Sequence, residues 1–214
     1  AIARDARRRG LAFLSTPFDL EAVDMLERVG CDAFKIASGD ITCAPLLARV
    51  ARTGKPVVLS TGMSDTEDVA AALGVIRQPG GGPVIVLHCV SSYPVPDDSQ
   101  NLRAISALAH RFGVLTGLSD HGTDTQAIAI AVALGACVYE RHFMLPGQSA
   151  IDAAVSSDPA QFARLVQSAE RARQALGHGR KECLAAEAPN LIASRRSVYA
   201  ARDLRAGQTI TPSD

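Results

Sequence analysis

Two histidines follow two successive apolar segments near the middle of the chain and are candidates for binding one metal ion. His121 ends the segment VLTGLSDH, and His142 lies in ACVYERHF. Each segment is typical of a buried parallel strand, and the helical pattern between them, over residues 124–135, would make the two strands neighbours. Side chains at the carboxyl ends of parallel strands face the crevice in which α/β proteins carry out their chemistry. Two imidazoles there could ligate one divalent ion, although each histidine could instead cap its strand and bond a nearby carbonyl.

A lysine inside an apolar segment is the second chemical signal. Lys35 lies in FKIASGD, where an unpaired ammonium would be energetically costly. Hydroxyl side chains at the ends of the predicted strands would surround it: Thr16, Ser38, Ser60 and Ser119. This set favours a pocket for a phosphate or carboxylate group. Two alternatives remain open, an ion pair with Asp32 or Asp120 and a Schiff-base lysine of the kind that aldolases use. A metal held by the histidines would make a Schiff base unnecessary.

The composition argues against several other classes of protein. The chain has 214 residues, of which 47% are apolar, so it can bury a sizeable core. Its 22 basic and 22 acidic residues give no formal net charge, and there is no electrostatic case for nucleic acid or a membrane surface as a partner. Five cysteines without CxxC spacing argue against a disulfide framework. No signal peptide or membrane-spanning segment is visible, so the expected compartment is the cytoplasm.

Apolar runs and helical patterns alternate through most of the chain. Six apolar runs predict parallel strands that are covered on both faces, at 11–16, 33–38, 56–61, 84–90, 114–120 and 136–143. Helices are predicted between or after them, at 20–29, 45–53, 65–76, 101–112, 124–134 and 159–176. Capping residues such as Asp158, followed by Pro159, and closing glycines such as Gly30 support these boundaries.

Six strand–helix units are compatible with two folds. An open doubly wound sheet of six strands would be complete, whereas a (β/α)8 TIM barrel needs eight strands. Polar residues stand at the ends of all six strands rather than at one switch point; besides those named above they are Asp40, Thr61, Ser91, Tyr93 and Glu140. This distribution favours an α/β fold of the TIM-barrel type that lacks its first two strand–helix units.

The end of the chain has a different character. The expected organisation is a partial barrel over residues 1–178, a linker over 179–194 and the start of a small β-rich domain over 195–214. In this last segment the sequence SVYAARDLRAGQTITPSD predicts a short strand, a turn at Ala206-Gly207 and the start of another strand.

Six ordered strings resemble the sialic acid synthase family, which comprises N-acetylneuraminate synthases and their relatives. They are STPFD, FKIASGD, LSTGM, LHCVSSYPVP, GLSDH and ERHF, and the resemblance runs from about Leu11 to the last residue. In addition, RRSVYAARDLRAGQTIT is similar to the start of that family's C-terminal antifreeze-like (SAF) domain. The resemblance implies condensation of phosphoenolpyruvate and water with N-acetylmannosamine or a related N-acylated aldose. The products would be N-acetylneuraminate or a related nonulosonic acid, and phosphate.

The same resemblance implies roles for residues at matching positions. His121 and His142 would be catalytic and would ligate a divalent metal, often Mn²⁺, with Mg²⁺ or Co²⁺ as alternatives. Lys35 would also be catalytic and would bind phosphoenolpyruvate together with Thr16, Ser38, Ser60 and Ser119. Ser91 stands where some members carry Asn and would make a shorter or indirect contact. Tyr93, Asp40 and Asp152 would face the sugar, and the full-length enzyme would be a domain-swapped homodimer.

The chain departs from the family pattern at a few positions. Gly122 stands where many members have Thr, and Arg141 replaces a frequent Lys. The family's first strand with its glutamate and NHNG turn, the basic residue of its second strand, and most of its C-terminal domain have no counterpart in these residues.

Other functions remain possible from the sequence. A relative could make legionaminic acid, pseudaminic acid or a spore-coat polysaccharide; His88 favours the sialic or legionaminic side, because pseudaminic acid synthases tend to carry Lys there. A non-catalytic barrel that binds sugar phosphate is a further alternative, but both histidines are present. A metal-dependent hydrolase would normally show more ligands, such as an HxH pair, and none is visible.

Overall fold

Each strand of the sheet pairs with the strand that precedes it in the chain. The computed structural model describes residues 1–214, and six parallel strands form one sheet in the order β1-β2-β3-β4-β5-β6. They are β1 (Leu14–Ser15), β2 (Ala33–Ile36), β3 (Val57–Ser60), β4 (Val84–Cys89), β5 (Leu115–Asp120) and β6 (Val138–Arg141). A doubly wound sheet reverses its order at a switch point, and this sheet does not. The predicted α/β class is therefore confirmed, with a barrel-like sheet of six strands.

Helices connect the strands and cover the sheet. They are α1 (Ile2–Arg8), α2 (Leu20–Val29), α3 (Ala44–Ala51), α4 (Thr66–Ile76), α5 (Ala104–Phe112), α6 (Gln126–Ala133), α7 (Pro159–Leu176) and α8 (Ala188–Ser194). The bounds of α2 and α7 agree with the sequence prediction because their caps are present. The Asp158 side chain accepts a bond from the Gln161 N–H at the start of α7, and Gly30 takes a left-handed conformation (φ 78°) at the end of α2. None of the helices combines the length and apolar character needed to cross a membrane.

The core lies between the sheet and its helices, which explains how an apolar strand can present a lysine to the other side. Phe34 and Ile36 of β2 are fully buried in a cluster that includes Val23 of α2 and Val50 of α3. Because successive side chains of a strand point to opposite faces, Lys35 points to the face away from these helices. The same alternation in every strand separates the packing residues from those of the candidate site.

Several predicted element boundaries are wrong, and those of three elements differ most clearly. Helix α5 begins at Ala104 and not at Asn101; Asn101 has φ 46°, a left-handed conformation that an α-helix cannot include. Strand β1 contains only two residues, and β6 ends at Arg141 rather than at residue 143. Both are edge strands of the sheet, so each has a pairing partner on one side only.

The chain divides into two compact units, residues 1–177 and residues 178–214. The predicted linker contains α8 and a short 3-10 helix at Ala185–Glu187. The turn at Ala206-Gly207 is present, but no strand forms in residues 195–214. The strand prediction for that segment is wrong, because a strand needs a neighbour to satisfy its backbone groups and this unit forms no sheet.

Candidate functional site

A cleft of about 630 Å³ lies at the carboxyl ends of the strands. It brings together nine of the eleven predicted site residues: Thr16, Lys35, Ser38, Ser60, Ser91, Tyr93, Ser119, His121 and His142. All six strands or the loops that follow them contribute to its wall. Strand alternation accounts for this grouping. Ser119 and His121 lie on one face of β5 and the residue that follows it, and Glu140 and His142 lie on the corresponding face of β6 and the residue that follows it.

Lys35 lies at the bottom of this cleft, where its ammonium has incomplete protein partners. Its Nζ donates to the Ile36 carbonyl at 2.9 Å and lies 3.6 Å from Glu140 Oε1. Burial lowers the pKa of Lys35 below its ordinary value, and the nearby Glu140 carboxylate partly opposes this effect. The expected alternative of an ion pair with Asp32 or Asp120 is wrong. The Asp32 side chain accepts a bond from the Phe13 N–H, and Asp120 pairs with another cation.

Hydroxyl groups around Lys35 complete a polar floor. Ser119 Oγ donates to Glu140 Oε1 at 2.8 Å, and Ser38 Oγ accepts a bond from the Gly62 N–H at 2.9 Å. Ser60 is 2% exposed, and its Oγ is buried with no hydrogen-bond partner. A buried hydroxyl without a partner is rare in folded proteins. Because Ser60 lines the cleft beside a cation, an anionic ligand would supply the missing partner.

Gly62 allows the hydroxyls of this floor to approach one another. A Cβ at this position would lie 2.2 Å from Ser91 Oγ and 2.9 Å from Ser38 Oγ. Any side chain larger than that of glycine would therefore displace two of the predicted contact residues.

The two histidines face each other across the carboxyl ends of β5 and β6. Their ring centroids are 5.2 Å apart. His121 Nδ1 donates to the Val90 carbonyl at 2.8 Å; a carbonyl can only accept, so in the neutral ring the Nε2 lone pair is free. Burial, followed by the charge of His121, lowers the pKa of His142 and favours its neutral form. When both rings are neutral, the two imidazoles, one of them with a bonded outer nitrogen, are a suitable donor set for a divalent ion.

Other groups near the histidines limit what the pair can bind. The Tyr93 ring packs on His121 with centroids 4.1 Å apart and meets His142 edge-on at 5.7 Å. Asp152 Oδ2 is 3.6 Å from His142 Nδ1. No cluster of three or more His, Cys, Asp or Glu side chains is arranged to hold a metal. An ion bound by the two imidazoles would therefore take its other ligands from water or substrate.

The structure also shows where the predicted site was incomplete. Asp40 and Asp152 do not line the cleft, although Asp152 approaches His142. The cleft wall also includes residues to which the sequence analysis gave no role in the site: Glu140, noted only as a strand-end polar residue, and Phe18, Met63, Cys89 and Arg141. Alternation along the strands was the signal that could have identified two of them, since Glu140 lies two residues before His142 and Cys89 two residues before Ser91.

Comparison with known proteins places this arrangement in a family. The family model described as NeuB matches residues 1–181. An uncharacterized protein of Methanocaldococcus jannaschii is 42% identical over 207 residues, which are 96% of this chain and 61% of that protein. An N,N'-diacetyllegionaminic acid synthase of Campylobacter jejuni is 38% identical over 206 residues, with 95% and 62% coverage. The chain thus spans about three fifths of the length of these curated relatives.

A solved structure agrees with the sequence comparison. The crystal structure of an N-acetylneuraminic acid (sialic acid) synthetase from Leptospira borgpetersenii superposes with a TM-score of 0.83 and 34% sequence identity. The match covers 90% of this chain and 67% of that one. The family model covers most of the chain, and the fold and the sequence agree with it. The chain belongs to the NeuB family.

Proposed function

We propose that the full-length protein condenses phosphoenolpyruvate with an N-acylated aldose and water, to give a nonulosonic acid and phosphate. One observation carries this proposal: the partly satisfied Lys35 ammonium and the unpartnered Ser60 hydroxyl share a cleft with two facing imidazoles. The first two groups suit a phosphate or carboxylate ligand, and the imidazoles suit a divalent ion. The similarity to a legionaminic acid synthase and a sialic acid synthetase supports the same class of reaction.

The polar floor would bind phosphoenolpyruvate. Lys35 would donate to the anion in place of its loose contact with Glu140, while Glu140 balances the ammonium when no anion is present. The hydroxyl groups would direct bonds at the same oxygens; they belong to Thr16, Ser38, Ser60, Ser91 and Ser119. Charge-assisted bonds of this kind fix orientation as well as affinity, so the enol carbon would be held on the side of the histidines.

His121 and His142 would hold a divalent ion, with Mn²⁺ as the first candidate and Mg²⁺ and Co²⁺ as alternatives. A bound ion supplies Lewis-acid polarisation of an aldehyde oxygen. Tyr93 at the cleft wall would orient the sugar, and Asp152, beside His142, and Asp40 are proposed as further sugar contacts. In the balanced reaction the enol carbon forms the new C–C bond with the aldehyde carbon. Water then adds to the carbon that was C2 of phosphoenolpyruvate. The C–O bond between that carbon and the phosphate group breaks, and phosphate leaves.

The proposal also names candidates for the sugar substrate. N-acetylmannosamine is the reference candidate, and the 38% identity to an N,N'-diacetyllegionaminic acid synthase favours a diacetamido sugar as the second. We also propose that residues 195–214 begin an SAF domain and that the full-length enzyme is a domain-swapped homodimer, on the basis of the sequence resemblance.

The proposal is tested by phosphate release from phosphoenolpyruvate with a panel of N-acylated aldoses and Mn²⁺. His121→Ala and His142→Ala should each lower turnover by more than about 100-fold, because loss of an outer partner of a metal ligand alone costs about 10- to 100-fold. His110→Ala is the matched control, since this exposed histidine of α5 bonds only the Ser106 carbonyl. Full turnover in both site variants with a chelator present would refute the metal-dependent reaction. Absence of phosphate release with every aldose would refute the condensation.

A further inference from the structure

A buried ion pair joins the residues that directly precede the two histidines. Asp120 and Arg141 are register partners on β5 and β6, and Arg141 Nη1 donates to Asp120 Oδ2 at 3.0 Å. Their side chains are 3% and 5% exposed. An ion pair this deeply buried is not a general stabilising device, because the desolvation of both charges offsets much of their attraction. Its location therefore requires another explanation.

Strand alternation puts the pair on the opposite face of the strands from Ser119, His121 and His142, although part of Arg141 also borders the cleft. Alternation puts Asp120 and Arg141 on the face that also carries Leu118 and Tyr139, which belong to an apolar cluster with α5 and α6. The Tyr139 hydroxyl donates to Asp120, and this contact, after burial itself, raises the pKa of Tyr139. The Asp120 carboxylate thus accepts bonds from Arg141, Tyr139 and Gly122 and is satisfied by protein groups.

Each member of the pair also fixes the backbone that flanks one histidine. Asp120 Oδ1 accepts a bond from the Gly122 N–H at 2.7 Å, which closes a turn around His121. Arg141 Nε donates to Ser157 Oγ at 3.1 Å, and the Ser157 N–H donates to the His142 carbonyl at 2.8 Å. Both histidines are therefore held through the same three side chains.

We propose that Asp120, Arg141 and Ser157 are positioning residues that set the separation of the His121 and His142 rings. We call this set the histidine brace. The consequence of the brace for catalysis rests on the proposed function. Its effect on the separation of the two rings does not depend on that function. A guanidinium group suits this role because it donates in two directions. Its Nη1 donates to Asp120 on β5, and its Nε donates to Ser157 in the segment after β6.

The first test measures the separation itself, in metal-free crystal structures of the full-length protein. Arg141→Met removes the cation at similar length, and we expect the ring centroids to move from 5.2 Å by more than about 0.5 Å, the tolerance that a functional site allows. Arg141→Lys keeps a cation beside Asp120 but cannot reproduce both guanidinium contacts, so it should shift the separation less than Arg141→Met does. Arg49→Met is the matched control, since Arg49 pairs with Asp24 and Glu27 between α2 and α3.

The second test titrates the same proteins with Mn²⁺ alone. Arg141→Met should weaken binding by about 10- to 100-fold, as expected when an outer support of a metal ligand is lost. Arg141→Lys should weaken it less, and Arg49→Met should bind like the wild type. If Arg141→Met does not fold, the double variant Asp120→Asn/Arg141→Met removes both buried charges and is measured instead. An unchanged ring separation in the folded variant overturns the brace, whether or not Mn²⁺ binds. A wild-type protein that binds no Mn²⁺ and releases no phosphate refutes the proposed function and leaves the crystallographic test to decide the brace.

Discussion

Two largely buried cations, Lys35 of β2 and Arg141 of β6, differ in how closely a carboxylate pairs with them. Arg141 donates to Asp120 at 3.0 Å and also to Ser157. Lys35 carries three donors, yet it has one backbone carbonyl within hydrogen-bond distance and a carboxylate at 3.6 Å. Lys35 was visible in the sequence because it interrupts an apolar run. Arg141 was noted only as a departure from the family pattern and was given no role, because it lies between two other polar residues in ERHF.

Replacement of Lys35 by Met should raise KM for phosphoenolpyruvate. A hydrogen bond to a charged group contributes about 1.5–3 kcal/mol, so kcat/KM should fall by about 10- to 100-fold. Lys55→Met is the matched control: Lys55 donates to the Cys31 carbonyl and precedes β3, at the opposite end of the strand from the cleft. Steady-state kinetics at varied phosphoenolpyruvate concentration measure the effect. Borohydride trapping of substrate carbon on Lys35 would show instead that this lysine forms a Schiff base.

Helices and strands differed in how well the sequence predicted their limits. Helix α7 was predicted correctly because its start depends on local bonds, between Asp158 and Gln161, that are legible as a sequence pattern. Strand limits depend on neighbours that are remote in sequence, so the apolar run at 11–16 overestimated β1. Helix α5 was overextended because no residue type by itself signals the left-handed conformation of Asn101. The capping bonds of a helix could be predicted from the local sequence, whereas strand pairing and the left-handed backbone conformation of Asn101 could not.

Loss of the cap of α7 should lower the stability of the barrel unit. The Asp158 carboxylate accepts the Gln161 N–H at 2.7 Å, and the Gln161 side chain accepts the Asp158 N–H at 2.9 Å. Asp158→Ala should reduce the free energy of unfolding by about 1 kcal/mol, the usual value for an N-cap. Glu170→Ala, on the exposed surface of the same helix, should leave it nearly unchanged. Urea denaturation of the three proteins measures the difference, and equal loss in both variants would contradict the capping argument.

One face of the sheet packs against the helices, and the other carries the residues of the candidate site. This separation explains how much of the site could be predicted. Residues on strand ends were found because strand position alone orients them; nine of the eleven reach one cleft. Asp40 and Asp152 lie in segments after the strands, where direction is set by turns and not by alternation. The exposed apolar rim, with Phe18 at 74% and Met63 at 76% exposure, carries no pattern that distinguishes it from ordinary loop residues.

His88 is buried, and its burial makes the free energy of unfolding depend on pH. Burial lowers the pKa of His88, with partial opposition from its bond to the Gln100 carbonyl at 2.8 Å. Below the ordinary value of about 6.5, the unfolded chain binds a proton at this position more readily than the folded chain. The contribution of His88 to stability is therefore largest above that pH and is lost as the pH falls below it.

The His88→Gln variant isolates this contribution, because Gln can donate to the same carbonyl and does not titrate. We expect the free energy of unfolding of the wild type, relative to His88→Gln, to fall between pH 7.5 and 5.5, no more steeply than about 1.4 kcal/mol per pH unit. Denaturant titrations at several pH values measure it, and other histidines cancel in the difference. Parallel curves for the two proteins would contradict the burial of a neutral His88.

The strictly sequential strand order has a consequence for how the chain acquires its structure during synthesis. Each strand from β2 to β6 finds its preceding neighbour already emerged from the ribosome. Chain segments between paired strands are short, which keeps the entropy of loop closure small at each step. These strands can therefore add to the sheet one at a time in chain order during translation. The facing histidines, which follow β5 and β6, would come together only after Lys35 of β2 and Ser60 of β3 are in place.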